Sequence, residues 1–261
     1  SLHACAGFGF SICCVFYGDR SRVYMSSIKH RSAGLDLVKW LAMVTMVADH
    51  SRFVWPSAEW LFVVGRLAFP LFCLAIAANV ARSGAGQVFS AANGRYLGWM
   101  LVFSVLSQWP YQVLDVGTRT FNIMPTLTLG LLMAWGFHYP ARGMRLLALG
   151  TLLVSLLASD VLMYGWPGVV LPSAFLLALR GGRGTWLVPG FVAVMANLSN
   201  DWLRANLAEP ITLMTMAAAG LSAPLGMRML RGQYSMHVWR VGRWGYWFYP
   251  LHLLLIIWVT R

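Results

Sequence analysis

Charge is what this sequence has least of. Asp, Glu, Lys and Arg make up only 11% of its 261 residues, against about 25% in a typical soluble globular protein. Acids are the scarcer sign, 8 against 20 Lys and Arg, so the net charge is +12. This excludes an ordinary soluble domain, because 59% of the chain is hydrophobic and a fold of this size has no interior large enough to hide so much apolar surface. Cysteine is nearly missing. Cys5, Cys13, Cys14 and Cys73 are the whole set, with no histidine at zinc-ligand spacing and no disulfide framework, so no metal site and no thiol chemistry is expected. No run of Lys and Arg is long enough for a nucleic-acid arm, which sets nucleic acid aside as a partner. There is no Walker A loop to drive a pump. No internal repeat is visible, so an inverted-repeat transporter gains no support.

What is present is apolar length. Mean hydropathy is +0.64, and nine apolar stretches fall near 34–54, 60–81, 95–114, 122–138, 144–159, 161–179, 185–199, 207–227 and 244–260. A membrane-crossing helix takes about 20 residues, so several are short and one can be tilted or re-entrant. Pro167 and Pro172 predict a kink in the sixth. The loops test this division. Fourteen Lys and Arg fall on the side of the N-terminus, including Arg82, Arg95, Arg142, Arg145, Arg180 and Arg183, and four on the other: Arg52, Arg119, Arg204 and Arg261. Basic residues are retained on the cytoplasmic side. The expectation is an all-α polytopic membrane protein of about nine transmembrane helices, N-terminus cytoplasmic and C-terminus periplasmic. Trp and Tyr at the span ends, among them Trp55, Trp60, Trp109 and Tyr139, fit the aromatic belts of such a protein. Residues 1–33 form an N-terminal segment and 34–261 one membrane domain. Within the former, either Met25 is the first native residue or residues 1–24 are an interfacial appendage.

Four charges remain inside the spans: Asp36, Lys39, Asp49 and Arg66, accompanied by His50 and His252. Each such group costs about 2.5–3.5 kcal/mol on insertion scales, so it faces protein or water and marks function by default. At about 100° per residue, Asp36, Lys39 and His50 share one stripe of the first helix, with Lys39 and His50 about 16 Å apart along the axis. Asp36 is placed to neutralise Lys39 one turn on. Asp49 points about 100° away from its neighbour His50, and is a candidate counterion for Arg66 together with Glu59. A histidine in a shielded pocket is a general base near neutral pH. Asn122 opens the fourth span, and Tyr164-Gly165 lies near the start of the sixth, on the outer side where His50 also lies. Two histidines, an arginine and an asparagine therefore converge under the outer surface. The Gly181-Gly182-Arg183-Gly184 run reads as a cytoplasmic turn able to touch an anion.

Asp36-x2-Lys39-x10-His50, Gly65-Arg66-x2-Phe69-Pro70-Leu71-Phe72, Asn122-Ile123 and Phe248-Tyr249-x2-His252 together resemble the TraX family of conjugative plasmids, and its relative TrbP, over residues 34–257. More distantly, the first helix is similar to that of membrane acyltransferases that modify surface sugars, where Arg-x10-His stands at the spacing Lys39 and His50 have here. The exchange keeps the charge and loses bidentate geometry. The resemblance implies an acetyl-CoA-dependent N-acetyltransferase of the bacterial inner membrane. Its acceptor would be the N-terminal amine of a conjugative pilin subunit, and its role pilus biogenesis. It implies His50 as base, with Asp49 beside it. Arg66 and Asn122 would act on the oxyanion or the acceptor, and His252 on the leaving thiolate or on His50. It also implies that Asp36, Lys39, Arg95 and Arg183 help to hold acetyl-CoA at the cytoplasmic face. Two other classes stay open from the residues alone. One is an ion-coupled transporter using Asp36, Lys39 and Asp49 as a relay. The other is a structural part of the conjugation machinery whose buried charges serve assembly.

Overall fold

The computed structural model describes residues 33–84, 88, 90–235 and 237–261. The alternatives for residues 1–24 and for Met25 lie outside them. Among the described residues every regular element is helical. In chain order these are α1 (Ala33–Ser51), α2 (Trp60–Gly65), α3 (Ala68–Arg82), α4 (Ala91–Leu106), α5 (Gln108–Leu114), α6 (Ile123–His138), α7 (Arg142–Leu157) and α8 (Gly165–Arg180). A 3₁₀ turn, Arg183–Trp186, leads into α9 (Leu187–Asn197), followed by α10 (Asp201–Ala205), α11 (Pro210–Arg231) and α12 (Trp244–Thr260). All nine expected stretches are helical, but the second is broken at Arg66-Leu67 and the third at Ser107.

Local chemistry sets several boundaries. The Ser90 hydroxyl caps α4 by accepting from the Asn93 N–H at 3.2 Å, and the Asn200 side chain caps α10 from Leu203 N–H at 3.0 Å. Each satisfies a helix-end donor. Pro210 takes the first position of α11, where its missing N–H is no loss.

The short, small-residue helix α3 is the axis of the bundle. Eleven of its residues are buried, and α1, α6, α8 and α11 pack around it. Ala75, Ala77 and Ala78 let those neighbours come close. α12 packs on α1, α4 and α5, while α7 lies outside against α6 and α8. Polarity runs opposite to that of a soluble bundle. Asp36, Arg66 and His252 are 5%, 9% and 7% exposed, whereas Leu157 and Trp258 are 81% and 76% exposed. Among the described residues two apolar segments, Trp60–Arg82 with its break at Arg66-Leu67 and Pro210–Arg231, are long enough to cross a membrane by length and composition.

Candidate active site

His50 lies in the last turn of α1 and His252 midway along α12. Packing of α12 on α1 brings the rings together, with His50 Nδ1 2.8 Å from His252 Nε2. The other nitrogen of His252, Nδ1, is 2.9 Å from the Phe248 carbonyl one turn back. A carbonyl only accepts, so His252 Nδ1 carries a proton. In the neutral pair His252 Nε2 is then an acceptor, and the shared proton belongs to His50 Nδ1. The lone pair of the pair's basic end is left on His50 Nε2. Phe248 stacks on the His252 ring at 5.4 Å between centroids, and Tyr249 stands 5.6 Å from it.

Asp49, one residue before His50, is the counterion of Arg66, with Arg66 Nη2 donating to Asp49 Oδ1 at 2.7 Å. Their side chains are only 10% and 15% exposed. Arg66 Nε donates to the Phe62 carbonyl at 3.3 Å, and its guanidinium lies 4.2 Å from the Phe62 ring. The close approach depends on Gly65. A Cβ there would collide with the Cβ and Oδ1 of Asp49. The break between α2 and α3 thus seats the arginine and makes room for its acid.

Tyr164 completes the outer wall, and sequence reasoning gave it no role. It is left-handed at φ 67°, and Gly165 follows at φ 56°. Strain of this kind in a bulky residue is held in place by surroundings. Here its carbonyl accepts from Ser199 Oγ at 3.2 Å, and its ring stacks flat on Phe69 at 4.1 Å. The ring lies 5.7 Å from the Arg66 guanidinium. No pattern in the sequence announces a left-handed tyrosine, although the glycine after it is a turn signal. Arg52, read from the sequence only as an outer-side base, is a second cation of the site, 5.0 and 5.1 Å from the Phe53 and Phe62 rings.

Two cavities meet here. A wide one of about 940 Å³ opens at the outer end and is lined by Asp49, His50, Arg52, Arg66 and Tyr164, among others. A narrow, mostly apolar one of about 140 Å³ runs beside α1, from Lys39 past Met43. Met46, Phe72, Ile123 and Tyr249 line both, so the two abut.

Of the remaining expected site residues, Lys39 alone lines one of these cavities. Asn122 is fully buried and does not line either cavity. Its Oδ1 caps α6 from Met124 N–H at 2.9 Å, and its Nδ2 donates to the Ser104 carbonyl and to Gln108 Oε1 at 2.7 and 2.8 Å. These contacts make it a helix cap and a tie to α4 and α5. Arg95 and Arg183 are exposed and line neither cavity. Asp36 and Lys39 hold one residue between them. Asp36 Oδ1 accepts from Val241 N–H at 3.2 Å, and Lys39 Nζ donates to the Val241 carbonyl at 3.2 Å.

A family model described as TraX protein matches residues 34–261. A protein named Protein TraX from Escherichia coli is 35% identical over 90 residues, 34% of this chain and 34% of its own length. Another of that name, from Escherichia coli strain K12, is 35% identical over 94 residues, 35% of this chain and 36% of its own length. The aligned part spans about a third of each of these curated relatives. No solved structure matches the chain.

Proposed function

Because this chain belongs to the TraX family, we propose that it is a membrane-embedded acetyltransferase that moves an acetyl group from cytoplasmic acetyl-CoA to the N-terminal amine of a conjugative pilin subunit. In this reading it crosses the bacterial inner membrane nine times, with the α2–α3 and α4–α5 pairs each making one crossing. A 16-residue helix such as α6 is about 24 Å long. It meets a hydrocarbon core of about 30 Å by local thinning.

One observation carries the reading: the narrow and wide cavities share Met46, Phe72, Ile123 and Tyr249 as lining, with Lys39 on the narrow one and His50, the partner of His252, on the wide one. The donor is cytosolic and the processed acceptor amine lies outside, so the reaction needs a passage for a long, thin arm that ends beside a base. In the proposed step, His50 Nε2 takes a proton from the acceptor amine, whose pKa is about 7.7–8.0. The nitrogen attacks the thioester carbonyl. The carbon–sulfur bond breaks, the amide forms, and the coenzyme A thiolate leaves and takes up the proton that His50 Nε2 removed. His252 holds His50 in the productive tautomer. Arg66, with Nε and Nη2 engaged, has Nη1 for the oxyanion. Asp49 keeps that guanidinium in place.

The test is the intact mass of the pilin from cells with and without this protein. The expected result is a gain of one acetyl group at the amino terminus only where the protein is present. Identical masses in both strains would overturn the reaction.

A further inference from the structure

The outer cavity is larger than a lone amine needs. At about 940 Å³ it lies near the upper end of the ~300–1,000 Å³ range of ligand pockets. Two of its lining residues also carry a buried side-chain atom with no hydrogen-bond partner: Asn197, through Oδ1, and Arg52, through Nε. Among the described residues, no other atom of this kind belongs to a residue of either cavity. Buried polar groups are paired as a rule, so unmatched ones on a cavity wall call for a partner inside it.

In Asn197 the spare atom is fixed by the bonds of the others. The residue ends α9 and is 1% exposed. Its Nδ2 donates to the Ala193 carbonyl at 2.9 Å, and its own carbonyl accepts from the Asn200 N–H at 3.1 Å. A carbonyl only accepts, so the amide cannot be turned round and the unmatched atom is an acceptor oxygen. The turn after it is held in place. Ser199 Oγ donates to the Tyr164 carbonyl, and a Cβ on Gly165 would collide with Ser199 Oγ and Ser159 Oγ. The helix end that carries Asn197 is therefore locked to the left-handed turn at Tyr164. Arg52 is the complementary group, two residues after His50. Its guanidinium shares the Phe62 ring with that of Arg66, at 5.1 and 4.2 Å. The acid bonded there, Asp49, is taken by Arg66, which leaves Arg52 with donors to give.

We infer that Arg52 and Asn197 recognise the acceptor's main chain beyond its first residue: Asn197 Oδ1 accepts from a peptide N–H, and Arg52 donates to a peptide carbonyl. One acceptor and one donor on the wall of the same cavity match an extended chain, which offers an N–H and a C=O at every residue other than proline. The inference rests on the acyl-transfer reading above and deepens it. The acceptor is an extended peptide end rather than any primary amine, and this part of its recognition needs no particular side chain.

The experiment measures acetyl transfer by the full chain in nanodiscs to glycinamide, to tetraglycine amide, and to tetraglycine amides in which each peptide N–H in turn is replaced by an ester oxygen. All present a primary α-amine and no side chain. Tetraglycine amide is expected to show a KM at least about tenfold below that of glycinamide. One of the esters should raise KM by about three- to tenfold, the effect of one hydrogen bond, with kcat unchanged. Asn197→Ala should show the higher KM with the amide already and no further rise with that ester. Asn197→Asp, which keeps an acceptor oxygen, should respond to the ester as the unaltered protein does. Arg52→Gln should erase most of the advantage of tetraglycine amide over glycinamide. The ester series on the unaltered protein reads the contact even where a variant does not fold. Equal KM for the two amides, an ester series without effect, a full ester penalty in a folded Asn197→Ala, or glucosamine accepted as readily as tetraglycine amide would overturn the peptide site and leave acyl transfer standing. Transfer to no amine at all would overturn both.

Discussion

An imidazole serves as a base only when the correct nitrogen keeps its lone pair, and here that is decided two residues away, by a backbone carbonyl. Phe248 fixes His252, and His252 fixes His50. His50→Gln is therefore expected to lower acetyl transfer by about 10²–10⁴-fold with the protein still present in the membrane. His252→Ala should lower kcat with KM unchanged, because binding survives and the tautomer does not. His252→Gln should recover part of the loss, since its amide oxygen can accept from His50 Nδ1. If His252→Ala and His252→Gln are equally impaired, the relay is wrong. At this scale the sequence was legible where cost forced the answer. Arg66 in an apolar helix needs an acid, and Asp49 is one of two within reach. It was misleading at Asn122, which reads equally well as a polar group under the surface and as the cap of the helix it precedes. Tyr164 was illegible because its role depends on a backbone conformation that only the fold imposes.

The junction of α1, α2 and α3 shows how elements carry a charge pair that neither could bury alone. α1 brings Asp49, α2 brings Gly65, and the break before α3 brings Arg66. Asp49→Asn leaves a buried guanidinium without its counterion and is expected to cost about 3–5 kcal/mol, read as a lowered unfolding midpoint in detergent. Gly65→Ala should act in the same direction by displacing the Asp49 carboxylate. The double change Asp49→Leu with Arg66→Met removes both charges, and replacing a buried pair by apolar side chains is often near neutral for stability. It is expected to fold close to the unaltered protein and to lack acetyl transfer. Retained transfer in a folded double variant would make the pair purely structural. The nine apolar stretches were readable as helices from length and hydropathy, yet the breaks at Arg66-Leu67 and Ser107 were not. Each lies three to four residues before a proline, Pro70 or Pro110, which has no N–H to give the carbonyl one turn back, a signal that length and hydropathy do not carry.

For the molecule as a whole, the arrangement of polarity supports the membrane reading proposed above. A fold that buries Asp36, Arg66 and His252 while leaving leucines of α7 and α12 outside would aggregate in water. In a bilayer it places each group in its favoured phase. In the proposed topology the loops rich in Lys and Arg face the cytoplasm, and that orientation decides which face each cavity serves. Single cysteines can read it directly. Gly143 and Gly182 have open space for a side chain, Val116 is 85% exposed and Glu209 is exposed. Cysteine at each of these, with Cys5, Cys13 and Cys14 replaced by Ser and the buried Cys73 retained, is expected to divide into two groups. Positions 116 and 209 should react with an impermeant maleimide on intact spheroplasts, and positions 143 and 182 only after lysis. The reverse pattern would put the imidazole pair on the cytosolic side, where a cytosolic thioester needs no passage to reach it. The two abutting cavities would then have nothing to connect, and the acyl-transfer reading would lose the observation that supports it.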